Sequence, residues 1–391
     1  MGMKNSFIIE HVNIFLEKEV ISSGSIYVKS GKIKTLSHDY IEPEDDDVEV
    51  IDGAGLNLVP GFIDGHIHGA YGYDVMDDDD QALRVMAEKL PREGTTAFVA
   101  TTITNPLEDI ERAIERVRDY EPKDGEAEII GLHIEGPFIE KSKAGAQPIQ
   151  DILPPQIDLV NRFLEKANGL IKTMTIAPEL DEDGAFIKYL VDHGINVSAG
   201  HTNANFNEIN RAVDQGVSQM THLCNAMNGV HHRDVGAVGA AMLIPSLKSE
   251  LIADGIHVSN EMLQILYETI GPERIMLITD SMRAKGMEDG TYTLGGQDVT
   301  VKNNQATLSD GTLAGSILKM DEGVRHFKNV TKASFFEMIQ MASINPAKQL
   351  GIFDRKGSIE IGKDADLLIV DDQFNIQQTF CKGILSYVRG F

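Results

Sequence analysis

Cysteine is scarce in this chain of 391 residues: Cys224 and Cys381 are the only two. That excludes a disulfide framework and is consistent with a reducing compartment. No apolar run approaches the roughly 20 residues that a membrane-spanning helix requires. Positive charge is short as well, with 35 Lys and Arg against 60 Asp and Glu and a formal net charge of −25. Such a chain repels polyanions, which argues against a nucleic-acid or anionic-membrane partner. An anionic substrate must then be held by a local basic patch. The opening Met1-Gly2-Met3-Lys4-Asn5-Ser6 has no long apolar core and does not read as a secretory leader. It meets the loose myristoylation pattern by chance, since one acyl chain holds weakly and the polybasic second signal is missing. A soluble, cytoplasmic protein is expected.

What is present is ordinary globular composition, 42% hydrophobic and 24% charged, in a length suited to a barrel of about 250 residues plus a smaller unit. Residues 6 to 55 alternate apolar and polar in short runs, with a turn at Ser30-Gly31, and read as antiparallel strands. The same texture returns from Gly357 to Val370. The two ends are therefore expected to form one small β domain, residues 1–55 and 356–391, around a central unit of residues 56–355. Within that unit, apolar runs recur at Gly61–His68, Phe98–Thr104, Ile129–Glu135, Ile171–Ala177, Ile195–His201, Gln219–His222, Leu251–His257 and Ile275–Asp280. Helical spacing separates most of them, as at Gln81 to Leu90, Leu107 to Tyr120, Ile157 to Ala167 and Phe206 to Gln215. Eight strands alternating with helices give an α/β fold, a (β/α)8 TIM barrel carrying a small β-sandwich domain. Gln219–His222 is short and polar for a barrel strand. A Gly-rich segment from Gly286 to Gly315 reads as a hairpin excursion, and Ala333 to Leu350 as a further helix.

The chemistry stands at the ends of these runs, where a barrel builds its active site. His66 and His68 close the first, with i, i+2 spacing that aims both rings to one side. Glu135 closes the third, His201 the fifth, His222 the sixth, His257 the seventh and Asp280 the eighth. Histidines with a carboxylate suit Zn²⁺ or Fe²⁺, whereas Mg²⁺ and Ca²⁺ call for mostly oxygen donors. Glu135, with two oxygens, can bridge two ions or complete one tetrahedral set. Asp280 can be a ligand or a proton carrier beside metal-activated water, and is assigned the second role. His133 can face the same way or pack in the core and is not counted among the ligands.

His66-Ile67-His68, His133-Ile134-Glu135-Gly136-Pro137-Phe138, Ala199-Gly200-His201-Thr202, Thr221-His222-Leu223-Cys224-Asn225-Ala226-Met227, Asp254-Gly255-Ile256-His257 and Thr279-Asp280-Ser281-Met282 together resemble the N-acetylglucosamine-6-phosphate deacetylases of the amidohydrolase superfamily, over nearly the whole chain. The resemblance implies that Glu135, His201 and His222 hold the primary metal, that Asp280 is the acid/base, and that His66 and His68 carry a second ion, since members lacking this pair use one. It places sugar contacts on Ala146, Gln147, Asn225, Ala226, Arg233, His257, Leu313, Ala314 and Gly315. Some members have histidine where this chain has Gln147. An amide cannot become cationic, so the oxyanion is left to the metal and to His257 or Gln147. Cys224 replaces an aromatic and is expected to pack rather than react.

The expected reaction is deacetylation of N-acetylglucosamine 6-phosphate, with hydroxide supplied at the metal. Arg233, in the one compact basic cluster after a site strand, is the candidate phosphate anchor, because its planar fork can make paired bonds to phosphate oxygens. By resemblance it reaches the site of a second subunit in a homodimer; pairing with Asp234 is the plainer alternative. The rivals are a cyclic amidase resembling dihydroorotase, which bridges its ions with a carboxylated lysine where this chain has Glu135, and an inactive scaffold.

Overall fold

The structure is a computed structural model that describes residues 6–43 and 48–390; the opening Met1 to Asn5, on which the leader and acylation readings rest, lies outside them. Eight parallel strands run in sequence order around a barrel: Phe62–Ile67, Thr95–Thr102, Glu128–Glu135, Ile171–Ile176, Asn196–Ala199, Val217–Met220, Lys248–Ile252 and Ile275–Ile278. Each of the eight expected runs overlaps a strand, with most ends displaced by a few residues; Leu251–His257 does so only at Leu251 and Ile252, so His257 lies in the loop beyond the seventh strand and not at its end. The last meets the first through the backbone just beyond it: Asp280 N donates to His66 O at 2.9 Å and His68 N to Ser281 O at 2.9 Å. Four helices fall where the spacing put them, Gln81–Lys89, Leu107–Arg118, Ile157–Ala167 and Phe206–Gln215.

The ends of the chain meet in one continuous sheet. Its strands run, edge to edge, Ile384–Val388, Ile376–Cys381, Leu367–Val370, Asn57–Pro60, Phe7–Phe15, Val20–Lys29 and Lys32–Ser37, with Glu49–Asp52 paired to Phe7–Phe15 as well. The sheet curls over its own apolar cluster, so that Phe7 and Phe380 stack at 4.8 Å. Two details differ from the sequence reading. Asn57–Pro60, grouped there with the barrel, pairs in this sheet, and the chain crosses to the barrel at Gly61. Glu49–Asp52, expected among antiparallel strands, runs parallel to Phe7–Phe15; alternation reports which face a residue takes but not the direction of its neighbour.

The Gly-rich excursion is a three-stranded antiparallel sheet, Gly290–Leu294, Gln297–Lys302 and Gln305–Thr307. It packs Leu294 and Val299 against Ile103 and Met282 and so walls one side of the barrel mouth. The expected final helix spans Phe335 to Gln349 with a π-helical turn at Gln340–Ile344. No helix among the described residues is long and apolar enough to cross a membrane.

Candidate active site

Three of the expected site residues occupy equivalent places. His201, His222 and Asp280 each stand two residues past the end of a barrel strand, and each is left-handed, with φ of 47°, 30° and 47°. A left-handed L-residue costs of order 1–2 kcal/mol, and such strain collects where side-chain aim matters more than backbone comfort. Glu135 is the last residue of its strand. The turn after it requires glycine, since Gly136 has φ +76° and a Cβ there would lie 2.1 Å from Thr104 Oγ1.

These residues bring their polar atoms together with the histidine pair. His222 Nε2 and His201 Nε2 lie 3.1 and 3.3 Å from Glu135 Oε1 and 3.1 Å from one another. His68 Nε2 lies 3.3 Å from Glu135 Oε2 and 3.2 Å from Asp280 Oδ1, while His66 Nε2 is 3.4 Å from Asp280 Oδ1 and 3.6 Å from Glu135 Oε1. Three triads therefore have donor atoms close enough to share an ion, Glu135 with His201 and His222, His66 with His68 and Asp280, and, behind them, His66 with His133 and Glu250; the first two face the cavity. Glu135 reaches both. Facing Nε2 atoms can share only one proton, an arrangement that suits a cation between the rings. Partners on the far side of two rings agree: His201 Nδ1 faces Lys143 O at 2.8 Å and His66 Nδ1 faces Glu250 Oε2 at 3.0 Å, leaving the Nε2 lone pairs for a metal.

The electrostatics point the same way. Burial pushes His66 down, but Asp280, Glu135 and Glu250 outweigh it and raise its pKa to about 9. Burial pushes Asp280 up, yet His66 and His68 outweigh it and hold it at about 2. The pocket attracts cations, and a divalent ion can take the place of the protons. His133 stands apart. Burial and then the neighbouring His66 hold it well below the usual imidazole range, and its Nε2 bonds Thr175 Oγ1 at 2.7 Å.

A cavity of about 350 Å³ opens over the donors. Ala146, Gln147, Asn225, Ala226, His257, Leu313 and Gly315 line it, as expected of sugar contacts. Ala314 does not, being fully buried in the cluster behind the wall. Arg233 is not among the lining residues either: it is exposed in the His231–Asp234 turn and bonds His232 Nε2 at 2.7 Å rather than Asp234. Gln147 is committed at both ends, its Nε2 donating to Glu135 Oε2 at 2.7 Å and its Oε1 accepting from Thr104 N at 2.8 Å. His257 Nδ1 is held by Asp254 Oδ2 at 2.7 Å. Burial pushes Asp254 up, but that ring and two backbone N–H groups keep it below the usual carboxylate range. Burial pushes the Cys224 thiol up to about 12, which suits packing and not attack.

Sequence reasoning missed Lys143, the one Lys or Arg among the lining residues, and Glu250 behind His66. The first lies in a loop without periodic signal. The second sits within its strand and not at the strand's end.

The model of the amidohydrolase family matches residues 57–385. The chain belongs to the amidohydrolase family. This amidohydrolase is 44% identical to the N-acetylglucosamine-6-phosphate deacetylase of Bacillus subtilis (strain 168), over 99% of this chain and 98% of that one. The solved N-acetylglucosamine-6-phosphate deacetylase of Thermotoga maritima superposes with a TM-score of 0.87 at 35% identity, covering 98% of this chain and 100% of the other. A mutant of the Mycobacterium smegmatis enzyme, solved in complex with N-acetyl-D-glucosamine-6-phosphate, gives 0.89 at 27% identity, covering 98% and 100%.

Proposed function

We propose that this amidohydrolase removes the acetyl group of N-acetylglucosamine 6-phosphate to give glucosamine 6-phosphate and acetate. The observation that carries the reading is the joining of Glu135 to both histidine pairs at the floor of a cavity lined by the expected sugar contacts. Glu135, His201 and His222 would hold one divalent ion, and His66 and His68, sharing Glu135, a second; nitrogen-rich donors favour Zn²⁺ or Fe²⁺. A bound ion supplies water of lowered pKa and polarises the acyl oxygen. Asp280, at the mouth of the donor set, takes the proton of the attacking water and returns it to the leaving nitrogen. His257, its Nδ1 fixed by Asp254, aims Nε2 into the cavity for the developing oxyanion. Gln147 is the weaker candidate for that task, because its amide is spent on Glu135 and Thr104.

The phosphate anchor is Arg233 of a second subunit in a homodimer. Two facts support this: Arg233 has no acidic partner among the described residues, and it is not among the residues that line the cavity of its own chain. Lys143 is the cation that the same chain offers. The cyclic-amidase reading needs a lysine-derived bridge, and Glu135 stands in that place.

The test is acetate release from a panel of N-acetyl sugars and their phosphates, by wild type and Arg233→Ala, with metal per chain measured on the same samples. The expected outcome is metal-dependent turnover with strong preference for the 6-phosphate, reduced in Arg233→Ala in both KM and kcat because remote binding energy positions the amide. Equal turnover of the unphosphorylated sugar by wild type would overturn the substrate assignment.

A further inference from the structure

Beneath the donor set, the barrel interior is polar. Glu250, on the seventh strand and 2% exposed, receives three N–H groups: His66 Nδ1 at 3.0 Å and His222 N at 3.2 Å on Oε2, and Gln219 Nε2 at 2.6 Å on Oε1. Gln219 in turn accepts from Asn196 Nδ2 at 2.7 Å, and Asn196 from Gln349 Nε2 at 2.8 Å and Ser218 Oγ at 2.6 Å. Each amide donates toward Glu250 and accepts from behind. The line runs from the partly exposed Gln349 and Asn196, at the amino-terminal end of the barrel, up to His66 at the carboxyl end.

We infer that this line, with Glu250 at its head, is a positioning device for His66 and thereby for the second ion. The inference rests on the metal assignment proposed above. A ring whose Nδ1–H is fixed by a carboxylate presents a lone pair at Nε2 in a set direction, and loss of such a partner typically weakens metal binding about 10–100-fold. Glu250 is not itself a ligand of another ion. Its oxygens lie within 4.8 Å of the nearest ligand atoms of His66 and His133, but three N–H donors already point at them, and a cation there would face those donors. Gln219 secures Glu250 from the other side, and Asn196 secures Gln219. One carboxylate thus sets the tautomer of His66 and also ties down the backbone of His222, which belongs with Glu135 and His201.

The polarity of the direct chain makes a sharp test. In Glu250→Gln, the new amide can keep its oxygen on His66 only by turning its NH2 on the NH2 of Gln219. Adding Gln219→Glu restores an acceptor opposite that NH2, while Asn196 still has an oxygen to bond. The experiment is Zn²⁺ titration of the metal-free full chain, counting ions by elemental analysis at buffered free Zn²⁺, with melting temperature followed in parallel. Wild type is expected to bind two ions. Glu250→Gln should weaken the second by about 10–100-fold and the first by less, since Glu250 holds His222 only through its backbone N–H and not through its ring, and Glu250→Gln with Gln219→Glu should recover much of that loss. Gln219→Met, which removes only the donor behind Glu250, should weaken the same ion less and gives the reading if Glu250→Gln does not fold. Full second-ion affinity in Glu250→Gln overturns the inference, or in Gln219→Met where Glu250→Gln does not fold. A double exchange no better than the single one, or a wild type with one ion only, also overturns it. Absence of acetate release by a two-ion wild type would instead fault the substrate reading and leave these counts intact.

Discussion

Asp280 carries two readings that one substitution separates. Its Oδ1 lies within 3.4 Å of both His66 and His68, as a ligand's would, and it also faces the cavity, as a proton carrier's must. Asn nearly matches the carboxylate's shape but cannot shuttle a proton. Asp280→Asn is therefore expected to keep the ion at Glu135, His201 and His222 and to lose roughly 10²–10⁴-fold in kcat, the worth of a general acid–base step, as measured by acetate release alongside metal content. Metal loss in step with activity would make Asp280 a ligand first. That this residue was legible in the sequence has a physical cause: a charged group at the end of Ile275–Ile278 breaks an apolar run where a barrel strand leaves the core. Glu250 and Lys143 had no such signature. The run beginning at Leu251 hid a strand that starts at Lys248, with Glu250 turned inward.

Between elements, the carboxylate of Glu128 joins the start of the third barrel strand to the carboxyl-terminal segment. Arg355 grips it with two bonds of 2.9 Å, and Lys356 and Lys382 approach within 2.9 and 3.1 Å. Burial pushes its pKa up, but Arg355 and then the lysines outweigh burial and bring it from 4.5 to about 2. A carboxyl lowered in the folded state contributes stability above its ordinary pKa and loses it as pH falls toward the lowered one. The shift corresponds to about 3 kcal/mol near neutrality, falling to about 1 kcal/mol by about pH 3. Urea unfolding of wild type against Glu128→Gln should show that difference shrinking over this range. A difference independent of pH would mean that the residue acts by packing. The short sixth strand shows the converse limit of sequence reading. Its polarity, which makes it look unlike a barrel strand, is the Gln219 and Ser218 share of the interior hydrogen-bonded line, so a pattern tuned to apolar cores undervalues it.

Across the whole molecule, the barrel was legible because eight apolar runs each had to bury two faces, whereas the pairing of the terminal strands was not, because nothing local specifies which distant edge a strand meets. Asn57–Pro60 takes Phe7–Phe15 on one side and Leu367–Val370 on the other. Read as an order of synthesis, this means that the first strands leave the ribosome with an open edge whose partner is still roughly three hundred residues away, about 15–60 s at 5–20 residues per second. A chain ended at Asp366 would keep that edge open permanently, and its soluble fraction on expression should fall well below that of the full chain. Birth and completion of the small sheet thus bracket the making of the entire barrel, and the nascent chain must shelter its beginning until its end arrives.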